Sequence, residues 1–195
     1  MTSKTEQNKV YTLMGASNHT AQDRPPLDMY TTDPTAVEAL LQKEKFDANI
    51  WEPACGTGNI SEVLKTHGYT VYNSDVFDYG YSDMHKQLDF LLSPCSFDGD
   101  IVTNPPFSEA LEFAQRAVDA VGEGHKVALL LRLQFLEGVK RREFFNVHPP
   151  KCVYVFSKRT KCHRQGKADS NSPAICFAWF VWEKGYTGKP SIDWI

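Results

Sequence analysis

The segment Asn104-Pro105-Pro106-Phe107 places a carboxamide, two rigid residues and an aromatic ring directly after the apolar run Asp100-Ile101-Val102-Thr103. The parts suit chemistry on an exocyclic amino group. Such a nitrogen is a poor nucleophile, because its lone pair is delocalised into the ring that carries it. Two acceptors placed on its two N–H groups favour a tetrahedral nitrogen with a freed lone pair. Asn104 Oδ1 and the Pro105 carbonyl are the candidate acceptors. Pro105 and Pro106 fix the backbone and remove two donors, which aims a side chain and a carbonyl. Phe107 is suited to stack on a base swung out of a helix. The plain structural alternative is a strand terminator with an incidental aromatic residue.

A second segment weighs against that alternative. Glu52-Pro53-Ala54-Cys55-Gly56-Thr57-Gly58-Asn59-Ile60 lies between a short apolar run and a helical one. Two glycines allow a tight turn and a close approach of ligand to backbone. The helix beginning beyond them favours an anionic group. Ser61 stands where the dinucleotide fingerprint has its third glycine, which disfavours a pyrophosphate cofactor. Asp75 follows Gly58 by 17 residues, near the distance at which an acid holds ribose hydroxyls in open α/β sheets. A loop-capping role for Asp75 is the bland reading.

These residues need a frame that brings strand ends together. The sequence predicts a helix after Asp33, with Pro34 in its first turn. Strands are expected at Asn49–Glu52, Thr70–Ser74, Asp89–Leu92 (weak), Asp100–Thr103, Lys126–Leu133, Val153–Phe156 and Ala174–Trp182. Helices are expected at Ile60–Thr66, Ser108–Val121 and Lys140–Asn146. The wholly apolar Lys126–Leu133 suits the centre of a parallel sheet. Alternating strands and helices imply a doubly wound α/β fold. No long helix separates the last two strands, so they are expected as antiparallel neighbours. Phe177 to Trp182 reads as core, not as a stacking platform. Arg132, Glu137 and Arg142 frame the end of the central strand, either supporting the site or forming a surface ion pair.

Composition sets the outer bounds. The chain has 195 residues and is 42% apolar, which suits one folded domain. The first 27 residues or so read as a flexible arm. They lack the apolar core of a secretory signal, and no run of about 18 apolar residues suggests a membrane span. A cytoplasmic protein is expected. The five cysteines (Cys55, Cys95, Cys152, Cys162, Cys176) stand far apart and suggest free thiols. No usual metal-ligand spacing is present, so no metal is expected. The net charge is −3, yet Lys140 to Lys167 holds nine basic residues against one acid. That stretch carries +8 and the remainder −11. Salt screens charge over about 8 Å, so a phosphate near the stretch senses it before the distant acids. Lys140, Arg141, Arg142, Lys158, Arg159, Lys161, Arg164 and Lys167 are therefore candidate nucleic-acid contacts; a solvated face is the alternative.

Taken together, these motifs resemble the class I S-adenosylmethionine-dependent amino methyltransferases, especially small N6-adenine DNA methyltransferases of phages and prophages. The similarity runs from about Tyr30 to Trp182. Tyr30-Thr31-Thr32-Asp33-Pro34 looks like the family's N-terminal cofactor motif. Glu52, Pro53, Ala54, Gly56, Gly58 and Asn59 look like its glycine-rich motif, whose leading acid contacts the methionine amino group. Asp75, with Val76 beside it, matches the ribose-binding acid. Asp89-Phe90 looks like the pair at the cofactor's adenine, and Asn104 to Phe107 like the catalytic tetrapeptide.

The resemblance implies a Rossmann-like methyltransferase fold: a mostly parallel seven-stranded sheet with an antiparallel C-terminal strand and helices on both faces. It implies S-adenosyl-L-methionine as cofactor, DNA as substrate with RNA open, base flipping, and the host cytoplasm if the source is a phage. Residues 28–195 are expected as one methyltransferase domain without a separate target-recognition domain. Base selection then falls to loops at 79–87, 137–150 and 157–173. RNA adenine, DNA cytosine N4 and protein glutamine N5 remain as alternative targets of the same chemistry. A non-catalytic module that binds nucleic acid or a partner is the alternative of a different class.

Overall fold

Strands and helices alternate along most of the chain. The strands are β1 (Tyr30–Thr32), β2 (Asn49–Glu52), β3 (Thr70–Asp75), β4 (Lys86–Gln87), β5 (Asp100–Thr103), β6 (Lys126–Arg132), β7 (Cys152–Val155), β8 (Cys162–Arg164), β9 (Phe177–Glu183) and β10 (Ser191–Trp194). The helices are α1 (Pro34–Lys43), α2 (Asn59–Thr66), α3 (Ala110–Ala120) and α4 (Val139–Val147). The computed structural model describes residues 30–158, 162–164 (backbone only) and 175–195. The expected arm at 1–27 lies outside the described residues.

Eight strands form one sheet in the order β10-β7-β9-β6-β5-β2-β3-β4. All neighbours are parallel except β9, which runs antiparallel to both β6 and β7. The central strand shows why helices cover both faces. Val127, Leu129 and Leu131 of β6 pack with Ala110, Phe113, Ala114, Ala117 and Val118 of α3. Ala128 and Leu130 pack on the other side with Val37 and Leu40 of α1 and Ile60, Val63 and Leu64 of α2. A strand apolar on both faces needs cover on both. Phe177 to Trp182 is buried throughout, as expected of core.

Local chemistry sets the helix ends. Asp33 caps α1: its Oδ1 accepts the Thr35 amide at 2.9 Å, and Pro34 occupies the first turn. The helix expected from Ser108 starts at Ala110. Before it, Phe107–Glu109 forms a 3-10 turn in which the Glu109 amide donates to the Pro106 carbonyl at 3.0 Å.

Two strand expectations need correction. Asp89–Leu92 is not a strand, and β4 is only Lys86–Gln87. Asp89 Oδ1 accepts the amides of Leu91 at 3.0 Å and Leu92 at 3.2 Å, so the chain turns there instead of extending. The sheet also has one strand more than seven. β10 pairs in parallel with β7 at the edge. Ile192 and Trp194 in it are both largely exposed, so no buried alternation marks it in the sequence. Among the described residues, no helix is long and apolar enough to cross a membrane.

Candidate active site

The strand order reverses on either side of β2, with β3 on one flank and β5 on the other. At such a point the loops leaving the carboxyl ends diverge and leave a crevice. Here it is a cleft of about 690 Å3. Expected cofactor residues on its wall are Tyr30, Thr31, Thr32, Glu52, Pro53, Ala54, Gly56, Asn59, Asp75, Val76, Asp89, Phe90 and Asn104. Gly58 is the exception and does not line it.

The two glycines serve different ends. Gly56 has φ +52°, and a Cβ built on it would meet nothing within 4 Å. Its Cα side faces open cleft. Gly58 has φ +82°, and a Cβ there would lie 2.3 Å from the Tyr81 ring. Tyr81 is held in turn, donating from its hydroxyl to Glu62 at 2.6 Å and accepting from Lys65 Nζ at 2.8 Å. Gly58 therefore serves packing beneath the turn.

Asp75 ties the turn to β3. Its Oδ2 accepts the Gly56 amide at 2.9 Å and its Oδ1 the Phe77 amide at 3.0 Å. Burial raises its pKa, and the hydrogen bonds from Phe77 and Gly56 oppose the rise.

Glu52 is more fully enclosed, at 1% exposure. Ser61 Oγ is hydrogen-bonded both to Glu52 and to Asn73 Oδ1. The Asn73 amide is fixed, since its Nδ2 donates to the Asp83 carbonyl at 3.1 Å. Ser61 has one hydroxyl proton for two oxygens. A protonated Glu52 completes the chain, donating to Ser61 while Ser61 donates to Asn73. Burial acts in the same sense and pushes the Glu52 pKa up to about 8. Ser61, the residue that replaces the third glycine, is thus the partner of the leading acid. The sequence marked it only by that replacement.

Asn104 sits at the end of β5, half-buried. Its Nδ2 donates to the Tyr30 carbonyl at 3.1 Å and to Thr32 Oγ1 at 3.0 Å. Its Oδ1 is buried and has no hydrogen-bond partner among the described residues. Pro105 and Phe107 do not line the main cleft. The Phe107 ring lies 5.0 Å from that of Tyr30 and 5.4 Å from that of Phe177, with the Arg132 guanidinium 4.8 Å above it. Among the described residues no ion pair joins Arg132, Glu137 and Arg142, so the alternative of a surface ion pair is set aside.

A second groove of about 380 Å3 opens beside Phe107, between Leu111, Phe135, Val139 and Lys140. Lys140 and Arg142 are exposed on α4. Arg141 is half-buried, with Nε donating to the Glu137 carbonyl and the guanidinium 5.5 Å over Phe135. Lys158 is exposed. Arg159, Lys161, Lys167 and the Arg164 side chain lie outside the described residues. Phe77, Tyr79, Leu88, Leu91 and Phe113 also line the main cleft, and no motif in the sequence marks them as cofactor residues.

Sheet order, the antiparallel β9 and the cleft at the switch point define the fold of class I S-adenosylmethionine-dependent methyltransferases. Solved structures share it. A protein of Listeria monocytogenes assigned to that class is 15% identical over 98% of this chain and 72% of its own, with a TM-score of 0.60. TrmN from Thermus thermophilus is 20% identical over 77% of this chain and 48% of its own, at 0.54. The methyltransferase subunit of a type I restriction-modification system from Streptococcus thermophilus is 14% identical over 84% of this chain and 46% of its own, at 0.61. The chain spans about half the length of the latter two. At these identities the likeness is one of fold. No protein-family model and no curated protein sequence matches the chain.

Proposed function

We propose that this chain transfers a methyl group from S-adenosylmethionine to the exocyclic N6 of adenine in DNA. The observation that carries the proposal is Asn104 Oδ1, a buried acceptor at the cleft wall without a partner among the described residues. Leaving such an atom unsatisfied costs about 1–3 kcal/mol. A ligand N–H delivered there removes that cost.

The residues present fit the cofactor. A cleft of about 690 Å3 falls within the common range for small-molecule sites, roughly 300–1,000 Å3. Gly56 leaves its turn open to close approach. Asp75 would hold the ribose hydroxyls and Glu52 would face the methionine amino group. Asp89 and Phe90 would flank the cofactor's adenine, with Tyr30, Thr31 and Thr32 closing the other side. S-adenosylmethionine, when bound, supplies an electrophilic methyl carbon on a sulfonium.

Asn104 Oδ1 and the Pro105 carbonyl accept the two N–H groups of the target. Neither oxygen is basic enough to take a proton beforehand, so they polarise the amino group rather than deprotonate it. The target nitrogen would keep both protons while the methyl carbon passes to it from sulfur, the carbon–sulfur bond breaking to leave a neutral thioether, and would then release one proton to solvent. Phe107, held by Tyr30, Phe177 and Arg132, offers a fixed aromatic surface for the flipped base. Lys140, Arg142 and Lys158 would meet the phosphates.

Incubation with methyl-labelled cofactor and unmethylated duplex DNA, followed by digestion to nucleosides, tests the proposal. Label in N6-methyldeoxyadenosine is the expected result. Label in N4-methyldeoxycytidine, in RNA adenine or in protein glutamine would reassign the substrate. No transfer to any of them, with no cofactor binding by calorimetry, would leave a non-catalytic module.

A further inference from the structure

The geometry points to Thr32, together with the main-chain carbonyl of Tyr30, as the device that sets which way round the Asn104 carboxamide faces. Thr32 is then a positioning residue for amino-group transfer, beyond any part in the cofactor cleft. The inference rests on the reading of Asn104 given above.

A carboxamide is nearly symmetric in shape, and turning it over exchanges acceptor for donors. If Asn104 presented Nδ2 to a target amino group, donors would face donors and the nitrogen would be repelled. The chain must therefore fix the orientation. The Tyr30 carbonyl does so, because a main-chain carbonyl only accepts. Its 3.1 Å contact requires the NH2 side of Asn104. Thr32 Oγ1, at 3.0 Å, takes the other N–H of the same group. Both donors are then spent on β1, and Oδ1 is left without a partner among the described residues. A turned amide would set its oxygen against the Tyr30 carbonyl and lose that bond, leaving the Thr32 hydroxyl to donate to it as its one remaining partner on β1.

β1 is itself well anchored. Thr32 is 4% exposed and precedes Asp33, the cap of α1. On its other edge β1 pairs with β8, Thr32 opposite Cys162 and Tyr30 opposite Arg164. β8 lies in the connection between β7 and β9, so β1 is paired to that connection through its backbone.

Thr32→Val keeps the shape and removes the acceptor; Thr32→Ser restores it. In the full chain, Thr32→Val should lower kcat at least tenfold, with the KM for DNA and the Kd for cofactor within twofold. Thr32→Ser should return kcat to within threefold of wild type. A second readout is independent of activity. With 15N-labelled asparagine, the two Nδ2 protons of Asn104, assigned through Asn104→Ala, should be resolved and slow to exchange in the wild type. They should lose that protection in Thr32→Val. If Thr32→Val does not fold, Thr32→Ala is read in the same way. Unchanged kcat and unchanged amide signals would overturn the inference. So would a cofactor Kd that rises in proportion to the loss of kcat, which would make Thr32 a cofactor contact. If the wild-type chain transfers no methyl group, the functional proposal falls, and the amide spectra alone decide the orientation.

Discussion

The ring of Tyr81 lies where a side chain on residue 58 would begin, 2.3 Å from the Cβ position of Gly58. The second glycine of the turn is thus a packing requirement, whereas the first faces the cleft. Gly58→Ala should lower the melting temperature by several degrees, each kcal/mol being about 2–4 °C for a chain of this size. Removing the obstructing ring in the double variant with Tyr81→Ala should recover part of that loss. Gly56→Ala carries only the strain of its positive φ, about 1–2 kcal/mol, yet places a methyl group in the cleft. It should weaken cofactor binding by more than its effect on melting explains. Thermal melting and calorimetry on the variants check both halves; equal effects at the two positions would contradict the division.

Glu52 makes stability depend on pH in an unusual direction. Its carboxyl is held protonated up to about 8, against an ordinary 4.5. Between those values the folded chain binds a proton that the unfolded chain has lost. Stability therefore falls as pH rises through this window, and levels off above it. Glu52→Gln donates to Ser61 without titrating. Its melting temperature relative to wild type should climb between pH 5 and pH 8 and then stay constant. A flat difference would mean that Glu52 is ionised at neutral pH and that Ser61 is not the middle of a proton chain.

Much of this site was legible in the sequence because its parts are strand ends followed by residues with few conformational choices. Asn49–Glu52 and Asp100–Thr103 are marked by the glycine turn and the double proline that stop them. The weak third strand failed because Asp89 bonds to its own neighbours, and side-chain-to-backbone bonds of that kind compete with extension. β1 and β8 were missed as strands since each has only three residues and pairs across a long separation. The roles of Ser61, Asn73 and Tyr81 depend on side chains meeting across elements, which no periodicity reports.

Asn104→Ala should reduce methyl transfer by about 10²-fold or more, the scale of losing one oriented hydrogen-bonding group at a reacting centre. Cofactor affinity should change little, because Nδ2 is bonded to β1. Asn104→Asp should be no better. It places a second acceptor oxygen against the Tyr30 carbonyl, so the side chain must turn away or take up a proton. Single-turnover kinetics alongside cofactor titration checks this. Full activity in either variant would remove Asn104 from the chemistry.

The three basic residues that open α4 should separate in salt dependence. Lys140 and Arg142 are exposed, while Arg141 is engaged with the Glu137 carbonyl and Phe135. A side chain that neutralises one phosphate contributes about 0.9 to the slope of log binding constant against log salt on duplex DNA. Lys140→Ala and Arg142→Ala should each flatten that slope by up to this amount, and the pair should add, since the two contacts are independent. Arg141→Ala should leave the slope nearly unchanged and lower the melting temperature instead, through loss of its bond and of the cover over Phe135. Fluorescence anisotropy with labelled duplex at several salt concentrations distinguishes the cases. If neither exposed residue alters the slope, the phosphates are met elsewhere, and α4 forms only the wall of the groove beside Phe107.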